Sequence, residues 1–172
     1  MSAIEELRQT IALRRAGDRE AALAIVTTDR GKQEMEGLVA AMANRQEEWW
    51  CPKPWMVTDC RLDPQAGGEF YTLMRGPDGE ESPVHGCFLE VCDQEKLVWT
   101  ELMTAGFRPV PTPPFGFVAV VTMEDWGSRT RYTVRAMHTS ADSRRQHEEM
   151  GFYDGWGTTM DQMADIIERL KT

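Results

Sequence analysis

The residues best placed to do chemistry are two histidines and a glutamate near the C-terminal end. His138 closes a run in which Tyr132, Val134, Ala136 and His138 alternate with Arg131, Thr133, Arg135 and Met137. Strand side chains point alternately to two faces, and arginine heads favour water, so the first set, His138 included, is expected to face inward. His147 and Glu148 follow, at or just before a helix that must turn back over this strand. If the three meet, three arrangements are open. A carboxylate that orients an imidazole makes it a general acid or base. Two imidazoles and a carboxylate can hold a metal, although His147-Glu148-Glu149-Met150-Gly151 lacks the second histidine of HExxH. A polar network that locks helix to strand uses the same residues and does no chemistry. His138, His147 and Glu148 are therefore the catalytic candidates, the choice between enzyme and binding protein stays open, and no metal site or cofactor is expected.

Other chemistry finds less support. Cys51, Cys60, Cys87 and Cys92 form no CxxC pair, and with His85, His138 and His147 they do not have the spacing of a zinc site, so they read as free thiols. Gly67-Gly68 is a turn and not a phosphate cradle, since no helix follows it. A net charge of −9 argues against nucleic acid, which needs a concentrated basic surface. The 41% hydrophobic and 27% charged residues of the 172 fit one globular domain. No run approaches the roughly 20 apolar residues of a membrane span. The N-terminus lacks the apolar core of a signal peptide, so a cytoplasmic location is expected.

The elements that must position the histidines are legible from periodicity. Ser2 and Glu5 fit a capping box ahead of Ile4, Leu7 and Ile11, which predicts a helix over 3–15 within an N-terminal extension of residues 1–20. The main domain is then 21–172. AALAIVTT (Ala21–Thr28) alternates as a first strand, Met35, Leu38, Val39 and Met42 predict a helix over 32–43, and Gln46–Trp50 a helical turn stopped by Pro52 and Pro54. From Trp55 the period becomes two: MVTDCRL, GEFYTLMR, HGCFLEVC, KLVWTELM, FGFVAVVTMED and TRYTVRAMHT are six strand-like runs separated by turns, the strongest being Pro77-Asp78-Gly79. Such a series predicts an antiparallel meander over 56–139. Trp156, Met160, Met163, Ile167 and Leu170 then step by four and three. That stripe predicts one mostly continuous helix over 142–170, bent near Gly151, covering the sheet.

This order resembles the START-like, or SRPBCC, superfamily, and more narrowly the domain named after the activator of the heat-shock chaperone ATPase. The resembling residues are Trp49-Trp50-Cys51-Pro52-Lys53-Pro54-Trp55, Gly67-Gly68-Glu69-Phe70, Met74–Glu81, Leu89-Glu90-Val91, Glu95–Trp99, Thr130-Arg131-Tyr132 and Met150–Gly157. Upstream of Trp49 the length suits the family but the residue types do not, through divergence or a local slip of reading frame. The resemblance implies an α+β helix-grip fold, a curved antiparallel sheet of six or seven strands in the order 1-7-6-5-4-3-2 wrapped around the C-terminal helix.

It further implies an apolar cavity. Trp50, Trp55, Phe70, Trp99, Phe115, Tyr153 and Trp156, with His138, are the side chains expected to bind a ligand there. The loop Arg108–Pro114 would lie over one end as a lid, and Arg75 would bind an anionic group or simply be solvated. The implied function is binding, with or without conversion, of a small apolar or aromatic molecule. The alternatives are a protein-interaction module that stimulates a chaperone ATPase, as in the namesake, and a cavity collapsed by its own Trp and Met side chains. Expected partners are the small ligand and, as an open alternative, a second copy in a homodimer; neither nucleic acid nor a membrane span is expected.

Overall fold

The computed structural model describes residues 22–23, 46–93, 95–126 and 129–170. The helices expected over 3–15 and 32–43, the boundary at residue 20 and most of the strand Ala21–Thr28 lie outside the described residues. Two residues of that strand, Ala22–Leu23 (β1), pair antiparallel with the C-terminal strand. Gln46–Trp49 (α1) is a single helical turn. The meander follows as Met56–Leu62 (β2), Glu69–Arg75 (β3), Glu81–Cys92 (β4), Lys96–Thr100 (β5), Phe117–Trp126 (β8) and Arg129–His138 (β9). Together with β1 they form a seven-stranded sheet in the order β1-β9-β8-β5-β4-β3-β2. Met103–Thr104 (β6) and Arg108–Pro109 (β7) make a separate small hairpin, so KLVWTELM divides after Thr100 instead of running on as one strand.

β4 begins four residues earlier than HGCFLEVC, through Pro83. A central strand would exclude proline, but β4 pairs with β3 over Glu81–Cys87 and with β5 only from Cys87 onward. Pro83 therefore lies where β4 has one paired neighbour, and its missing N–H costs no ladder bond.

The terminal segment is two helices, not one. Ser140 caps Ala141–Glu149 (α2), its hydroxyl accepting the Ser143 N–H at 3.0 Å. Met150-Gly151 then breaks the chain before Phe152–Leu170 (α3). Gly151 takes φ +92, a left-handed conformation that glycine adopts without a Cβ penalty.

α3 lies on the concave face of the sheet. Phe152, Met160, Met163 and Ile166 form one buried cluster with Phe70, Phe88, Trp99, Phe117, Val121 and Val134 of the strands. Trp156 packs against this cluster while staying partly buried. Ile166, which the stepping by four and three passes over, is 1% exposed; the side chains of Ile167 and Leu170 are outside the described residues. Replacing Met163 or Ile166 by Ala should cost about 2–5 kcal/mol in urea unfolding, the range for a buried aliphatic. A loss below about 0.5 kcal/mol, the scale of surface substitutions, would show that α3 does not seal the sheet.

Candidate functional site

β9 carries Tyr132, Val134 and Ala136 into the core and turns Arg135 and Met137 outward, as the alternation predicts. His138 ends the strand on the inner side, opposite Phe117 of β8. The cap at Ser140 starts α2 at once, and the helix brings His147 back over the strand end. His138 Nε2 and His147 Nδ1 stand 2.8 Å apart, in hydrogen-bond contact.

Glu148 does not join them. Successive helix residues point about 100° apart, so with His147 turned to the sheet Glu148 faces outward. There it pairs with Arg144 at 3.5 Å. The structure thus builds a His–His pair where the sequence suggested a His–Glu pair.

The surroundings favour the neutral form of both rings. Phe115 stacks on His147 with centroids 4.8 Å apart, and Phe117 and Phe152 approach it at 5.0 and 4.7 Å. Burial, and secondarily the neighbouring His138, push the His147 pKa down to about 4. Burial and then the Arg144 charge lower that of His138. Two neutral imidazoles can share one hydrogen bond, one donating and one accepting. His138 Nδ1 is then left over: it is buried and has no hydrogen-bond partner.

The pair is braced by a residue the sequence reading missed. Glu101 is 5% exposed. Its carboxyl accepts the Phe115 N–H at 3.1 Å and also the Gly116 N–H. Burial raises its pKa, and these bonds oppose the rise. Gly116 has φ +61, and a Cβ there would meet Thr139 Oγ1 at 2.8 Å; Thr139 N–H donates to Gly116 O at 2.8 Å. Glu101 and this tight crossing set the backbone from which Phe115 reaches His147. The signal was present in the run KLVWTE, because the alternation that takes Leu97 and Trp99 inward continues to Glu101.

The remaining ligand-binding candidates divide. Phe70 and Trp99 stack face to face at 4.2 Å with planes 5° apart. Trp50 meets Phe70, Trp99 and Trp156 edge-on at 5.6, 6.2 and 5.5 Å. Trp99 reaches Phe117 at 5.3 Å, which links this aromatic cluster to the histidines. Phe115 lies at the histidine end, and Tyr153 packs against Phe152. Trp55 is elsewhere, beside Gly76, where an added Cβ would come within 3.0 Å of its ring. Arg75 pairs with Glu81 at the strand end. The four cysteines are free, and burial raises the Cys51 pKa.

Two further polar atoms of the concave face lack partners. Trp99 Nε1 and Thr72 Oγ1 are both buried without a hydrogen bond, in residues 3% and 0% exposed. Thr72 lies two residues from Phe70 on β3, on the same face. The segment that carries Trp50 is tied to α3 through Gln162. Its Nε2 donates to Trp49 O and Cys51 O at 3.0 and 2.9 Å, and its Oε1 accepts the Lys53 N–H at 3.0 Å.

A curved antiparallel sheet closed by a C-terminal helix, with aromatic and imidazole groups between them, defines the START-like, helix-grip class. Residues 42–168 match the family model of activator of Hsp90 ATPase homolog 1-like protein, and the chain belongs to that family. A crystal structure of a protein from Nitrosomonas europaea is similar at 38% identity and TM-score 0.76, over 90% of this chain and 99% of that one. An NMR structure from Arthrobacter aurescens is similar at 22% identity and TM-score 0.70, over 89% and 90% of the two chains. A family protein from Silicibacter pomeroyi, at 18% and 0.60 over 88% and 100%, shares the fold. Among curated proteins no match was found. No helix among the described residues is long and apolar enough to cross a membrane.

The neutral His147 makes stability depend on pH. Its folded pKa of about 4 lies below the ordinary 6.5, so the unfolded chain binds more protons between those values. The stability gained by burying it neutral is complete above about pH 6.5 and is lost as pH falls through about 4. Allowing for solvent screening of a partly exposed ring, the loss is on the order of 1–2 kcal/mol. Urea unfolding from pH 7 to pH 4 should show a shallower decline for His147→Gln than for wild type; equal slopes would contradict a buried neutral imidazole.

Proposed function

We propose that the concave face binds a small, largely apolar or aromatic molecule with at least one polar atom. The observation that carries this reading is the pair of unpartnered buried atoms, Trp99 Nε1 and Thr72 Oγ1, among stacked aromatic rings. A buried indole N–H ordinarily finds an acceptor, because leaving it unpaired costs about 1–3 kcal/mol. A ligand acceptor would supply that bond while the rings supply apolar contact.

His138 would mark the second polar end of such a site. With Nε2 held by His147, Nδ1 is the atom left to address a ligand hydroxyl or carbonyl. Neutral at ordinary pH, it would donate or accept according to the tautomer that His147 permits, a hydrogen-bonding role in binding and a proton-transferring one if the ligand is converted. The family description also raises stimulation of a chaperone ATPase, and the same experiment reads that alternative.

Thermal unfolding should be followed with a panel of fatty acids, aromatic polyketides and aryl acids, beside a chaperone ATPase assay. A ligand at 100 times its Kd is expected to stabilise the chain by about 2.7 kcal/mol, and His138→Leu should weaken it. A chain stabilised by no member of the panel that nonetheless raises the ATPase rate would replace binding with the interaction role.

A further inference from the structure

We infer that Trp50 is a built-in occupant of the ligand cup, which a flat aromatic molecule bearing a hydrogen-bond acceptor displaces. The inference rests on the binding role proposed above and adds the ligand's class and its competitor.

Three observations lead to it. Trp50 is only partly buried, and its ring sits edge-on to Trp49, Phe70, Trp99 and Trp156 at 5.4, 5.6, 6.2 and 5.5 Å. One ring thus touches both members of the Phe70–Trp99 stack. Next, it offers that stack no acceptor: an indole N–H can only donate, and Trp99 Nε1, in the same ring that Trp50 abuts, is buried and unpaired. Trp50 fills the position without satisfying its chemistry, whereas a heteroaromatic ligand with a ring nitrogen or carbonyl would do both. Finally, the backbone on each side of Trp50 is held independently of the ring. Gln162 bonds the carbonyls of Trp49 and Cys51 and the N–H of Lys53. The indole can therefore rotate out about its own side-chain bonds while the segment that carries it stays docked on α3.

The competition has a readable consequence. Wild type pays for removal of Trp50 before it binds, so its apparent affinity is reduced by the fraction of chains with the ring out. Truncating Trp50 removes that competition and leaves an aromatic-lined space of the kind that takes up small aromatic molecules.

The test uses quinoline and naphthalene, planar bicyclic probes of the same shape that differ by one acceptor nitrogen. Binding would be followed by calorimetry for wild type, Trp50→Ala, Trp50→Leu and the double variant Trp50→Ala/Trp99→Phe. Trp50→Ala should bind quinoline at least about 10-fold more tightly than wild type, and quinoline over naphthalene by about 5–10-fold, the value of one hydrogen bond. In the double variant that preference should vanish. Trp50→Leu, which keeps more apolar volume should Trp50→Ala fail to fold, should fall between wild type and Trp50→Ala. In wild type labelled with 5-fluorotryptophan, saturating quinoline should move the Trp50 resonance to a solvent-exposed shift.

If wild type binds quinoline as tightly as Trp50→Ala and the fluorine signal stays put, Trp50 is not the occupant, although the binding role survives. If the probes bind equally to Trp50→Ala, the acceptor requirement is wrong. If no chain binds either probe, the inference falls, while stabilisation by the ligand panel above decides separately whether the binding role stands.

Discussion

The rest of the structure depends on the sealing of one face of a sheet by one helix. Strands β3, β4, β5, β8 and β9 all present large apolar side chains to the same side, from Phe70 and Phe88 through Trp99 and Phe117 to Val121 and Val134. That face cannot be left to water, since burial of apolar area is the main favourable term in folding. Met160, Met163 and Ile166 of α3 cover it. The same helix also ties down the chain before β2, where the Gln162 amide satisfies two carbonyls and one N–H of the Trp49–Lys53 segment. A segment that lies 109 residues or more from Gln162 in sequence is thus pinned where Trp50 can reach the Phe70–Trp99 stack.

Two polar devices sit at the edge of this seal, and they differ in kind. Gln162 uses donors and acceptor fully, and so fixes geometry at no cost in unpaired groups. The His138–His147 pair is satisfied at one atom and left open at another. Its position follows from the break at Gly151. A single straight helix from Ala141 would carry its axis away from the strand end; the turn at Met150-Gly151 lets α2 lie beside β9 while α3 crosses the sheet. Glu101, through the Phe115 and Gly116 amides, then sets the ring that stacks on His147.

Strand periodicity made most of the fold legible, because each inward face is read directly from alternating residues. β2 coincides with MVTDCRL, and the inward course of Tyr132, Val134, Ala136 and His138 follows from the outward arginines. Where the reading departed, tertiary context was responsible. Pro83 reads as a strand breaker, yet β4 has a single paired neighbour there. Glu101 reads as one more strand residue, yet the Thr100 hydroxyl donates to Phe117 O at 2.7 Å and accepts the Leu102 N–H at 3.0 Å, ending β5. Both depend on which strand lies alongside, which local pattern does not contain.

The site was less legible for a related reason. Sequence spacing brought His147 and Glu148 equally near His138, and the choice between them is a matter of helical phase. Only one of two adjacent helix residues can face the sheet, and the aromatic side chains Phe115, Phe117 and Phe152 favour a flat neutral ring over a carboxylate, whose charge would be costly to desolvate there. That selection changes the chemistry. A carboxylate partner would raise the basicity of His138, whereas a neutral imidazole in an apolar setting keeps both rings uncharged and shares a hydrogen bond without adding charge. The interior that results is apolar, aromatic and sparsely polar, with its open atoms at the indole of Trp99, the hydroxyl of Thr72 and the imidazole of His138. If it binds a ligand as proposed, such an interior would select for hydrogen-bond pattern and ring shape rather than for ligand charge, because a charged group there would meet no countercharge from the two neutral imidazoles.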